Sequence, residues 1–469
     1  MKRRTLGVSV AVLVAGCVHG APVVVLPPLG DEAEVVVYLE PLPQEAERLT
    51  VTLSSMAAAS GGAEIPIELR LPTLSRGTVG RQRLFASGRI PPGPYEGFRV
   101  LVTKAQLATE EKPADLLVPK EAVLIPAPFT ATRGKVTVIS LAFRYASSVK
   151  DNFDFNPDFA ASRLELPPPA LMGYCSNNAD ASLTAFDTSR RVVGGVLASG
   201  GRPGGVAIDP PPNHSRAYVA IASSSEVQVL DVATGDTVGN IRLNAGDEPV
   251  DLALVPAGRP LLVVNRGSNT LSFVDPASFM ELGRVPTGLE PASVLLDRTS
   301  KRAYVFNRRS NNITVVDVAN RAVVATISTD AEPFFGAISR DGSRLYVICA
   351  GSAYLNVFSL PAVAVQQRAF TGLGQSAILV DSRSDYVYVG MAGEKRIYVY
   401  DPLSFIPIDY VEVPGPVSYM VIDDLTNSLF AILPESRSVA VVDLTSRRVL
   451  AVLDVGDAPY ALRLAGQRP

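Results

Sequence analysis

Three glutamates recur at a fixed interval. Glu248, Glu290 and Glu332 stand 42 residues apart, each directly before a proline (Pro249, Pro291, Pro333). If the chain between them folds into equivalent units, the three carboxylates reach one equivalent loop, where they could hold a hard cation such as calcium. The alternative is that duplication copied a solvated loop residue. Arg266, Arg308 and Arg309 fall in polar turns beside these positions, and arginines next to such a carboxylate arc could dock a charged partner. Phe334, just after Pro333, would add an apolar anchor, although core packing accounts for it as well. The chain has only two histidines, His19 and His214. His214 follows Pro210, Pro211, Pro212 and Asn213 and reads as a solvated loop residue. A histidine-based zinc, haem or copper site is therefore not expected. No CxxC and no phosphate-cradling glycine loop is present. The expected catalytic set is none, and the only cofactor in view is calcium.

What positions these residues is a repeat. The stretch from Arg302 to Asp317 reads as a strand with Tyr304-Val305 at its heart, a polar turn, then a second strand ending in acid. The acid recurs at Asp187, Asp231, Asp275, Asp317, Asp401 and Asp443, with Ser359 in its place once. Successive spacings are 44, 44, 42, 42, 42 and 42 residues. Thirteen residues before each stands Tyr174, Tyr218, Leu262, Tyr304, Tyr346, Tyr388 or Phe430. Most copies open on a proline and carry four short β-branched runs separated by Gly, Pro, Asn, Asp and Ser. Four strands at a period near 42 residues predict an antiparallel propeller blade, and seven copies predict seven blades. The last copy stops after one strand near Tyr460, while the first lacks its opening strand. The C-terminal strand is therefore expected to complete blade one and close the ring.

The motifs Tyr304-Val305-Phe306-Asn307 with Asn312-Ile313-Thr314-Val315-Val316-Asp317, and Val263-Val264-Asn265 with Thr270-Leu271-Ser272-Phe273-Val274-Asp275, resemble the YVTN-type β-propeller repeat. That family occurs in surface-layer and other envelope proteins, and the resemblance implies a binding or scaffold role. Ser359, Leu262 and Gln375, where a proline is expected, depart from the pattern without interrupting the apolar strands.

The first 20 residues pair a basic start (Lys2, Arg3, Arg4) with an apolar run too short for the roughly 20 residues of a membrane span, which predicts an export signal. Val14-Ala15-Gly16-Cys17 resembles a bacterial lipobox. The resemblance implies a signal peptide over 1–16, a lipidated Cys17, a linker to residue 33, and a lipoprotein held in the cell envelope. Val18 in the following position points to the outer membrane. An ordinary cleaved signal with an incidental cysteine is the alternative. Cys175 and Cys349 fall on second strands of blades that are not neighbours, so two free thiols are expected. With 43 basic and 46 acidic residues, the net charge of −3 offers no pull towards nucleic acid.

Residues 34–165 do not share the repeat. Alternating runs at 34–39, 49–53, 65–71, 82–87, 97–104, 122–125 and 135–143 predict a β-sandwich. The stretch from Ser87 to Val102 resembles transthyretin-like sandwiches of bacterial lipoproteins. The propeller is expected over 166–469. The overall expectation is an all-β, lipid-anchored envelope protein that binds another envelope protein or a polysaccharide. The alternative is a propeller hydrolase or lyase, lactonase-like, acting on a small molecule in the central channel. That alternative requires several unlike polar residues around the channel.

Overall fold

The computed structural model describes residues 26–467 except 111, 152, 211–214 and 257–258. Cys17, His19 and His214 lie outside the described residues. From residue 172 the chain forms seven four-stranded antiparallel sheets. Within blade four the strands run Pro291–Leu296, Arg302–Asn307, Asn312–Asp317 and Ala322–Ser328, from the channel outwards. The expected closure is present. Pro459–Leu464 is the innermost strand of blade one and pairs antiparallel with Met172–Asn177, Gly173 facing Leu464 and Asn177 facing Pro459. The innermost strands touch one another in a complete circle. The channel-side edge of Met172–Asn177, which would otherwise stand open, is thus paired.

The repeated residues hold blades together rather than line a site. Along Arg302–Asn307, Ala303 and Val305 enter the core shared with blade three, while Tyr304 and Phe306 enter the core shared with blade five. Strand side chains alternate in direction, so a strand buried on both faces reads as an unbroken apolar run. The closing Asn of the motif clips the hairpin: Asn307 Nδ2 donates to Asn312 Oδ1 at 2.8 Å and to Thr314 Oγ1 at 2.9 Å. The repeated Asp caps the next turn. Asp401 Oδ1 accepts the N–H groups of Leu403 and Ser404, and Asp187 Oδ1 those of Ser189 and Arg190. Cys175 and Cys349 are buried and unbridged.

The N-terminal domain is one continuous ten-stranded sheet curled around a single core, a half-barrel form of the expected sandwich. Its first strand, Ala33–Leu39, is buried on both faces. Val35, Val37 and Leu39 point into the domain's own core. Val36 and Tyr38 point into the core between blades seven and one, beside Phe430, Val441 and Phe186. Among the described residues, this is the inter-blade core that strands of the N-terminal domain enter. The domain therefore sits on the seam where the ring closes. Gln82 reinforces the joint by accepting the N–H of Val193 at 2.8 Å, and Arg70 by pairing with Asp457 at 3.0 Å.

Candidate functional site

Each innermost strand starts at one face of the propeller, so the residues before the opening prolines gather there. Glu248, Glu290 and Glu332 take left-handed backbone angles (φ 48°, 52° and 57°). The N–H groups of Glu290 and Glu332 donate to Asn269 Oδ1 and Asn311 Oδ1 of the preceding blade, at 2.8 and 2.9 Å. The structure brings the arginines to the same rim. Arg266 pairs with Glu248 at 3.1 Å and Arg308 with Glu332 at 2.8 Å. These pairs are exposed and neutralise each other's charge. Among the described residues no group of three or more acids, cysteines or histidines converges as a metal site, so the geometry does not support calcium at these glutamates. Glu290 and Arg309 instead line a hollow of about 270 Å³ together with Leu289 and Asn269. Phe334 is half-buried against the core between blades five and six, and its carbonyl accepts the Ser293 hydroxyl at 2.6 Å.

A second polar set lies inside the ring. Two residues beyond each opening position stand Gly205, Asp251, Ser293, Phe335, Ala377, Tyr419 and Ala461. A cavity of about 640 Å³ runs along the innermost strands and is lined by Asp251, Ser293, Phe335 and Tyr419. Arg463 joins them from the closing strand, and the cavity extends to the turns holding Asp297 and Gln467 at the opposite face. Arg463 Nη1 donates to the Tyr419 hydroxyl at 2.7 Å, and the Tyr419 ring meets Phe335 edge-on at 5.3 Å. Asp251 is 8% exposed, and its Oδ2 accepts the Val294 N–H of the next blade at 3.0 Å.

Burial pushes the Asp251 carboxyl upward, against the opposing pull of Arg463 and two backbone N–H groups. Burial works against the charge of Arg463, yet Tyr419 and Asp251 hold its guanidinium above the usual range. Tyr460, at the start of the closing strand, is 44% exposed. Loss of hydration, then Asp251 and Tyr419, push its phenol up, with Arg266 and Arg308 pulling down.

Sequence reasoning located the rim and missed the channel. The signal was present: at one position of an otherwise uniform repeat, seven blades carry aspartate, serine, two aromatics and only small residues elsewhere. Three of these, Asp251, Ser293 and Tyr419, are polar and line the cavity with Arg463 and the Phe335 ring.

Residues 238–468 match the model of the YNCE-like beta-propeller family. No curated protein matches the chain in sequence. Among solved structures, a functionally unknown protein from Desulfotomaculum acetoxidans DSM 771 superposes with a TM-score of 0.56 at 13% identity, covering 63% of this chain and 99% of that one. The dihydro-heme d1 dehydrogenase NirN in complex with DHE gives 0.50 at 15%, covering 65% and 77%. Kuenenia stuttgartiensis hydrazine synthase gives 0.49 at 18%, covering 55% and 88%. At such identities the likeness is one of fold alone.

Proposed function

We propose that this chain is an exported, lipid-anchored binding protein of the bacterial cell envelope whose propeller takes a small ligand into its channel. The observation that supports it best is the meeting of Arg463, Tyr419 and Asp251, from three different blades, on one cavity. Opposite charges and a phenol around an open volume are the make-up of a ligand site. Export and anchoring rest on the leader pattern and on Cys17. The ligand reading is tested by native mass spectrometry of the protein purified from its own envelope. A small-molecule adduct present in the wild type and absent from Arg463→Gln is expected; identical bare masses count against it. Anchoring is tested by Cys17→Ser, which should move the protein from the membrane fraction to the soluble one.

A lactonase-like hydrolase is the second reading. The raised carboxyl of Asp251 favours it, since a general base works best when its pKa approaches the working pH. Turnover of a lactone panel that vanishes in Asp251→Asn would establish it over simple binding.

A further inference from the structure

We infer that the channel ligand is a small organic acid carrying a hydrogen-bond donor beside its carboxylate and an apolar tail, that is, a 2-hydroxy or 2-amino acid. This rests on the reading that the channel holds a ligand, and it adds the ligand's chemistry.

Arg463 is half-buried on the cavity, and its side-chain hydrogen bond goes to Tyr419. It makes no ion pair with a carboxylate among the described residues. Its guanidinium offers five N–H donors in a planar fork, which suits a carboxylate held by two parallel bonds. No carboxylate of the described residues occupies that fork, which a ligand anion could therefore fill. The Tyr419 oxygen already accepts from Arg463, which leaves its O–H to donate to the same anion.

Asp251 supplies the complementary end. Its Oδ2 is committed to the Val294 N–H, but Oδ1 points over blade two. At that level blade two carries Gly205, and a Cβ there would fall 2.5 Å from Asp251 Oδ1. Asp251 Oδ1 thus packs over the Gly205 backbone, and Arg463 stands on the other flank of blade two, two residues further along its strand at the level of Ala207. A carboxylate on Arg463 and an adjacent hydroxyl or ammonium on Asp251 Oδ1 would reach across blade two within the cavity they both line. Phe335, with the edge of Tyr419 against it, gives the tail an apolar wall.

The test is calorimetric titration of the full mature protein with four compounds sharing one phenyl tail: phenyllactate, phenylalanine, 3-phenylpropionate and 3-phenylpropanol. At least one of the first two should bind most tightly, and which one wins tells hydroxyl from ammonium. Phenylpropionate, lacking the donor, should be weaker, and phenylpropanol, lacking the carboxylate, weakest. Arg463→Gln should weaken the acids roughly tenfold or more, as expected for a charge-assisted bond, and leave phenylpropanol unchanged. Asp251→Asn should erase the preference over phenylpropionate. If Arg463→Gln does not fold, Tyr419→Phe carries the test, with a several-fold loss expected for the acids only. Phenylpropanol binding as tightly as the acids, or acids indifferent to Arg463, overturns the ligand class while the channel site stands. No binding of any compound at millimolar concentration, by protein shown to be folded, overturns both.

Discussion

Tyr38 and Asp454 join the two domains at the place where the ring closes. The Tyr38 phenol donates to the Asp454 backbone carbonyl at 3.2 Å, while the Asp454 carboxylate takes Arg83 Nε at 2.7 Å and the Leu84 N–H at 3.1 Å. Asp454 ends the outermost strand of blade seven, Arg448–Asp454. The N-terminal domain therefore grips blade seven through this residue and blade one through Gln82. Asp454→Ala would leave Arg81 and Arg83 without their carboxylate, at a largely covered joint. It is expected to cost roughly 2–3 kcal/mol, as for buried hydrogen bonds to a charged group. Chemical denaturation should show the loss; a change under about 0.5 kcal/mol would mean the joint contributes nothing to stability.

Stability should fall from mildly acidic to mildly alkaline pH. Burial, then Asp180, pushes the Glu34 carboxyl up to about 7. Burial, then Asp457, pushes Asp180 up to about 6. A carboxyl whose pKa is raised in the fold gives its full stabilisation below its unfolded value and loses it as pH rises through the folded one. The window is therefore about pH 4 to 7, with a loss on the order of 2 kcal/mol across it. Asp457 runs the other way: although burial opposes it, Arg437 and Arg70 hold it below the usual carboxylate range, so its contribution disappears only in strong acid. The melting temperature near pH 5 should exceed that near pH 8, and Glu34→Gln should flatten the profile. An unchanged slope in Glu34→Gln would rule this residue out as the source.

Deleting residues 460–469 should leave blade one without its innermost strand. The Met172–Asn177 edge would then stand unpaired along the channel, and the core between blades seven and one would lose Leu462 and Leu464. Aggregation is expected on size-exclusion chromatography. A monodisperse, cooperatively melting truncation would show that the ring holds without its closing strand.

The rim arginines should matter to partners and not to folding. Arg308→Glu/Arg309→Glu breaks one exposed pair with Glu332, worth no more than about 1 kcal/mol. If the rim docks an envelope protein or polysaccharide, a component that co-purifies from gently solubilised envelopes should be lost from the double variant at unchanged melting temperature. Equal recovery from both proteins would remove the rim from consideration.

The repeat was legible because it is local. Tyr304, Asn307 and Asp317 each satisfy a demand that arises within one hairpin or between adjacent blades, so the same residues return wherever the geometry does. The seven blades, their closure by the C-terminal strand and the structural role of the repeated Tyr and Asp all follow from spacing and residue type. The rim gathered as the spacing implied, but whether its charges faced a ligand or one another depended on side-chain reach across a loop: Glu248 and Glu332 met arginines. The channel depended on the closed ring itself. Asp251 and Arg463 lie more than two hundred residues apart, and only the circle of innermost strands sets them on either side of blade two. The docking of Val36 and Tyr38 on the closure seam was equally beyond the sequence, since an apolar strand declares that both its faces are buried without saying against what.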